Sequence, residues 1–137
     1  MRIVIAVMCC CVGLACSQGP APPDRFEAIR QLVCDGKYEQ ALPQLKAYSG
    51  KHESRAALFM GKAHLGLGDY PAARKAFEAG VRKFPDTLEA HKCRYKLALL
   101  SYLEGDNETA KNAFEKLAAD KDGPLAPEAA AFAKFIR

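Results

Sequence analysis

The sequence is poor in residues that favour β-strands, and no region of it is dominated by charge of one sign. It lacks tryptophan, and β-branched residues are scarce after the first dozen positions, whereas alanine, leucine, lysine and glutamate are plentiful. This composition favours helix over strand. The 20 basic and 16 acidic residues are interspersed and leave a net charge of +4. A nucleic-acid-binding protein normally has a basic stripe, so we expect no nucleic-acid partner.

Motifs for catalysis and for cofactor binding are also lacking. No serine, cysteine or lysine lies in a nucleophile motif, and no glycine-rich phosphate loop is present. His91 and Cys93 would diverge by about 200° on one helix and have no third ligand nearby, so a zinc site is not expected. Residues 120–123 lack the spacing of a calcium loop. We therefore predict that the chain is not an enzyme and binds no metal or other cofactor.

The N-terminal hydrophobic run is too short to cross a membrane. Residues 3–15 are uncharged and apolar, whereas a membrane-spanning helix needs about 20 such residues. With Arg2 in front of it, this run predicts a signal peptide over residues 1–15. Its end, Leu14-Ala15-Cys16, resembles the lipobox of bacterial lipoproteins, although Gly13 stands where an aliphatic residue is usual.

The lipobox resemblance implies that Cys16 is acylated and anchors the chain to a membrane. Ser17, in place of an aspartate, implies the outer membrane, facing the periplasm. Residues 16–23 would then be the lipidated cysteine and a flexible tether, because they are rich in proline, glycine and serine. The alternatives are an ordinary secretory signal cleaved near Ala15 and cleavage at cysteine 9, 10 or 11.

Three glycines interrupt a helical pattern that starts at Asp24, a good N-cap. Gly36, Gly68 and Gly105 are spaced by 32 and 37 residues, and each can end a helix in a left-handed conformation. Each glycine is followed by an alanine after five residues and a bulky apolar residue after nine, at Ala41 and Leu45, Ala73 and Phe77, and Ala110 and Phe114. We expect a second helix after each glycine, with Pro71 in its first turn in the middle unit and Asn107 as N-cap in the third.

Paired helices with a period near 34 residues resemble the tetratricopeptide repeat. The middle unit fills most signature positions with Ala57, Met60, Gly61, His64, Gly68, Asp69, Tyr70, Ala73, Phe77 and Pro85. The departures are Ala57 for tryptophan, Met60 for leucine and His64 for tyrosine. The resemblance covers residues 24–122 and implies an all-α fold: a right-handed α-solenoid of three such hairpins plus a C-terminal capping helix, within a domain of residues 24–137.

Packing within this domain can be predicted from the small and bulky residues. Small residues should let paired helices approach closely, and in the middle unit we expect Gly61 and Ala73 to have this role. Phe77 should fill the space between hairpins. An apolar face over residues 126–136 predicts the capping helix and consists of Ala129, Phe132, Ala133 and Ile136. Cys34 and Cys93 would lie two units apart, too far to pair, so we expect two buried free thiols.

The family resemblance also implies a binding groove, because the first helix of each hairpin lines the concave surface. Equivalent positions are Phe26, Leu58 and Tyr95, then Arg30, Lys62 and Leu99, then Val33, Leu65 and Tyr102. These residues predict a groove for a protein or peptide segment with apolar anchors and some acidic residues, to which Arg55, Lys92 and Lys96 would add positive potential. The alternative is that they pack the first helices against each other.

Residues 83–90 and 101–106 resemble periplasmic repeat proteins of the Tol-Pal-associated and outer-membrane assembly lipoprotein type. This resemblance implies a role in assembly of the cell envelope. The expected function is thus a membrane-tethered protein-interaction scaffold. The alternatives are a structural spacer without a groove ligand and an accessory domain of a cell-wall enzyme.

Overall fold

Seven helices make up residues 24–136, the part of the chain that the computed structural model describes, and no strand occurs among them. The helices are α1 (Arg25–Cys34), α2 (Tyr38–Lys46), α3 (Glu53–Gly66), α4 (Tyr70–Lys83), α5 (Leu88–Leu103), α6 (Asn107–Ala119) and α7 (Ala126–Phe135). The predicted signal peptide, the acylated Cys16 and the tether lie outside the described residues.

Each helix packs against the next one along the chain, which gives three hairpins, α1–α2, α3–α4 and α5–α6. In addition, α1 contacts α3 and α3 contacts α5, so the first helices of the hairpins form a continuous layer. The helix α7 packs on α6. The all-α solenoid of three hairpins with a capping helix is confirmed.

Glycines with positive φ angles end the first helix of each hairpin. Gly36, Gly68 and Gly105 have φ angles of +74°, +75° and +86°, which side chains other than glycine rarely allow. The second helix starts directly afterwards, and Asp106 caps α6 by accepting a hydrogen bond from the Thr109 N–H at 3.0 Å. The prediction of Asn107 as N-cap is therefore wrong by one residue.

The centre of the core is Phe77, whose ring packs directly against the backbone of α3 at Gly61. Phe77 is completely buried, and a methyl group at Gly61 would overlap its ring. The close approach expected between Gly61 and Ala73 is thus made by the Phe77 ring, one turn further along α4. Around it lie Leu58 and Leu100, so Phe77 joins the middle hairpin to the third.

The capping helix covers the last hairpin with the predicted face. Ala129, Ala133 and Ile136 are buried. The ring of Phe132 lies 4.6 Å from that of Phe114, centre to centre, and 5.5 Å from that of Tyr102. The Phe114 side of α6 is thereby removed from water.

The two cysteines of the described residues are both free but differ in exposure. Cys93 is buried between hairpins, as expected, whereas Cys34 is exposed. The expectation of two buried thiols is wrong for Cys34 because the buried face of α1 consists of Phe26, Ile29 and Val33. The next residue along a helix is rotated by about 100°, which carries Cys34 off that face.

Candidate protein-binding groove

The residues predicted to line the groove divide into core residues and surface residues. Phe26, Leu58 and Val33 are exposed by only 2%, 3% and 7%. Phe26 packs edge-on against Tyr48 and Phe59, with ring centres 5.5 and 5.8 Å away. These three side chains are core residues, so their placement in the groove is corrected. The alternative, that such residues pack the first helices together, applies to them.

The predicted tyrosines lie at the end of the groove where the capping helix packs. Tyr95 contacts the Phe114 ring edge-on at 5.1 Å, and Tyr102 contacts Phe132 and Phe135. Burial, and secondarily the charge of Glu128, raises the pKa of the Tyr95 phenol. Both rings are half-buried, so they support the cap and leave part of each ring at the surface.

Three lysines come together in the middle of the first-helix layer. Lys62 projects from α3, and Lys92 and Lys96 project from successive turns of the adjacent α5. Burial, and then the charges of Lys96 and Lys92, lowers the pKa of Lys62. Its ammonium group also lies 4.6 Å from the centre of the Phe59 ring. We refer to Lys62, Lys92 and Lys96 as the lysine cluster.

The lysine cluster has no counter-charge within the described residues. No carboxylate oxygen of residues 24–136 lies within 4 Å of any of the three ammonium groups. Leu65 and Leu99, two further predicted positions, are half-buried beside it on the same two helices. The middle of the groove is therefore cationic with apolar surface next to the charge.

Two other cations of the first-helix layer, Arg30 and Arg55, are paired with acids. Arg30, a predicted groove residue, donates hydrogen bonds from Nε to the Glu27 carboxylate at 2.9 Å. The Nε of Arg55 lies 3.5 Å from Glu89 Oε1. The Glu27–Arg30 pair was readable from its spacing of three residues. The Arg55–Glu89 pair joins two hairpins, and no local spacing signals it.

Residues 24–136 contain no group of three or more histidine, cysteine or acidic residues able to hold a metal ion. Burial raises the pKa of the Cys93 thiol to about 11, so the thiol is neutral near pH 7 and a poor nucleophile. Among the same residues, no helix is both long and apolar enough to cross a membrane.

Comparison with known proteins agrees with the repeat geometry. A family model described as Tetratricopeptide repeat matches residues 27–86 and again residues 58–124. The two matches overlap at the middle hairpin, which pairs with each neighbour in turn. No curated protein matches the chain.

Proposed function

Since the chain belongs to the tetratricopeptide repeat family, we propose that it is an interaction scaffold that binds an acidic segment of a partner protein in its groove. Stacked helical repeats present extended binding surfaces, and proteins of this family are typically non-catalytic scaffolds. The partner is a protein segment with acidic residues and one or two apolar anchors.

The observation that supports this proposal is the lysine cluster. Burial, and then the nearby charges of Lys96 and Lys92, lowers the pKa of Lys62 and so disfavours its charged form. Carboxylates of a partner would offset this repulsion and would steer its approach. The half-buried Leu65 and Leu99 offer apolar contact beside the charge.

The proposed site is smaller than the sequence alone suggested. It keeps Lys62 and Leu99, with Tyr95 and Tyr102 at the end next to the capping helix. Arg30 contributes less positive potential than its residue type suggests, because Glu27 neutralises it. Lys92 and Lys96 take the role that was expected of Arg30.

We also propose that the scaffold works at the bacterial cell envelope. The support is the hydrophobic run that ends in Cys16, the short tether after it, and the resemblance of residues 83–90 to envelope repeat lipoproteins. A lipid anchor would hold the groove within reach of envelope proteins. The process served is proposed to be envelope assembly.

The experiment compares two double variants as baits on a membrane extract. Lys92→Glu with Lys96→Glu reverses charge in the groove and spares Lys62, whose ammonium group lies over the Phe59 ring. Lys75→Glu with Lys111→Glu makes the same change in net charge on the exposed surfaces of α4 and α6. We expect the groove variant to lose partners that the parent and the control variant capture.

Two outcomes would count against the proposal. If the groove variant captures the same partners in the same amounts as the parent, the ligand does not use the lysine cluster. If the parent captures no specific partner, the chain is a structural spacer. Circular dichroism of each variant must match the parent, so that a loss of capture reports on the surface and not on unfolding.

A further inference from the structure

A cleft opens between α4 and α6 on the side of α5 that faces away from the lysine cluster. It has a volume of about 500 Å³. Arg94 and Ser101 point into it from α5, roughly 160–200° around the helix from Lys92. The second helices α4 and α6 pack mainly on α5 and not on each other, which leaves α5 as the floor.

The floor of this α4–α6 cleft is apolar, and a polar pair lies at each of its two ends. Leu97, Ala98, Ala113 and Leu117 form the middle of the cleft. At one end Arg74 pairs with Glu104 at 2.5 Å and donates to Ser101 Oγ at 3.4 Å. At the other end His91 Nδ1 lies 4.0 Å from the Asp120 carboxylate.

Between these ends lie two cations without an acidic partner. Arg94 donates to the Pro85 carbonyl at 2.9 Å, and Lys116 projects from the exposed surface of α6. Within residues 24–136, no carboxylate oxygen lies within 4 Å of either cation. The cleft thus combines an apolar floor with unpaired positive charge on its rim.

The length of the cleft matches a short extended segment. The floor from His91 to Ser101 covers about 15 Å of helix, which is the length of about four to five extended residues.

We propose that the α4–α6 cleft is a second protein-binding site, for an extended peptide segment with aliphatic side chains next to an acidic residue. The aliphatic side chains would lie on Leu97 and Leu117, and the carboxylate would meet Arg94 and Lys116. The cleft shares no residue with the groove, so the proposal of this second site does not depend on the proposed function. With both sites occupied, the chain would bridge two proteins.

The test is a titration of the isotope-labelled full chain with the synthetic peptide acetyl-Glu-Leu-Ala-Leu-Glu-amide, followed by amide NMR shifts. We expect saturable shifts around Arg94, Leu97 and Lys116. Lys116→Glu should weaken this binding by about 10-fold, the effect of losing one favourable charge contact. The matched control is Lys111→Glu on the same helix, which should change the affinity by less than about 2-fold.

Three results would overturn the proposal. The first is an unchanged affinity in Lys116→Glu, because both cations are assigned to the ligand carboxylate. The second is equal binding of a peptide with serine in place of leucine, which would reduce the interaction to unspecific charge attraction. The third is hexanoate producing the same shifts at the same concentration as the peptide, which would make the cleft a site for small carboxylates.

Discussion

Replacing Phe77 by alanine removes the side chain that joins the middle hairpin to the third. Phe77 is fully buried, and its ring lies directly on the backbone of α3 at Gly61. Gly61 has no side chain that could move into the vacated space, so on that side the cavity can close only if α3 itself shifts. We therefore expect a loss towards the upper end of the range of about 3–5 kcal/mol known for buried phenylalanines.

The size of this loss is large relative to the stability of a small domain, about 5–15 kcal/mol. Urea denaturation followed by circular dichroism would measure it. The matched control is Phe135→Ala, because Phe135 is 67% exposed and its truncation should cost less than about 0.5 kcal/mol. Similar midpoints for the two variants would refute the assignment of Phe77 to the centre of the core.

The contact between Phe77 and Gly61 can be tested separately, because the effect of Gly61→Ala on stability should change sign when Phe77 is removed. In the parent, Gly61→Ala places a methyl group into the Phe77 ring and should destabilise by about 1–3 kcal/mol. In the Phe77→Ala background the overlap is gone, and alanine should stabilise helix α3 by about 0.5–1 kcal/mol. If Gly61→Ala has the same effect in both backgrounds, the two residues are not in contact.

Three further predictions concern the thiols, the α6 cap and the N-terminus. Iodoacetamide at pH 8 should alkylate the exposed Cys34 quickly and Cys93 only on unfolding, because Cys93 is buried and its pKa is raised to about 11; equal rates by mass spectrometry would contradict this. Asp106→Ala should lower the melting temperature at pH 7. The hydrogen bonds from Thr109 lower the pKa of Asp106, so its stabilisation is present above the unfolded pKa, and the difference should shrink as the pH falls through the folded pKa; a pH-independent difference would argue against a charged cap. Intact-mass analysis of the membrane fraction should show Cys16 as an acylated N-terminus, whereas a chain that begins at Ser17 would refute the anchor.

The fold could be predicted because its determinants are local. Gly36, Gly68 and Gly105 each occupy a position that requires a positive φ angle, and this requirement marks the hairpin turns in the sequence. The wrong prediction of Asn107 as the N-cap of α6 shows what neighbouring residues in the sequence cannot decide. Asp106 and Asn107 are both good N-caps, and only the start of the helix decides between them.

The groove was less predictable because it depends on the rotation of each first helix. The repeat offsets placed both Phe26 and Lys62 in the groove, yet Phe26 lies in the core and Lys62 is only half-buried. The core face and the groove face of such a helix are adjacent, so a small rotation moves a residue from one to the other. The α4–α6 cleft could not be predicted, since it depends on the separation of two helices that belong to different hairpins.

The direct contact between α3 and α5 has a mechanical consequence. The third hairpin also rests on the second helix of the middle hairpin, because α4 packs on α5, whereas α4 and α6 pack mainly on α5 and not on each other. The two hairpins are therefore joined on the first-helix side and in the centre but hardly at all between their second helices. We expect a change in the curvature of the array to alter the separation of α4 and α6 more than that of α3 and α5.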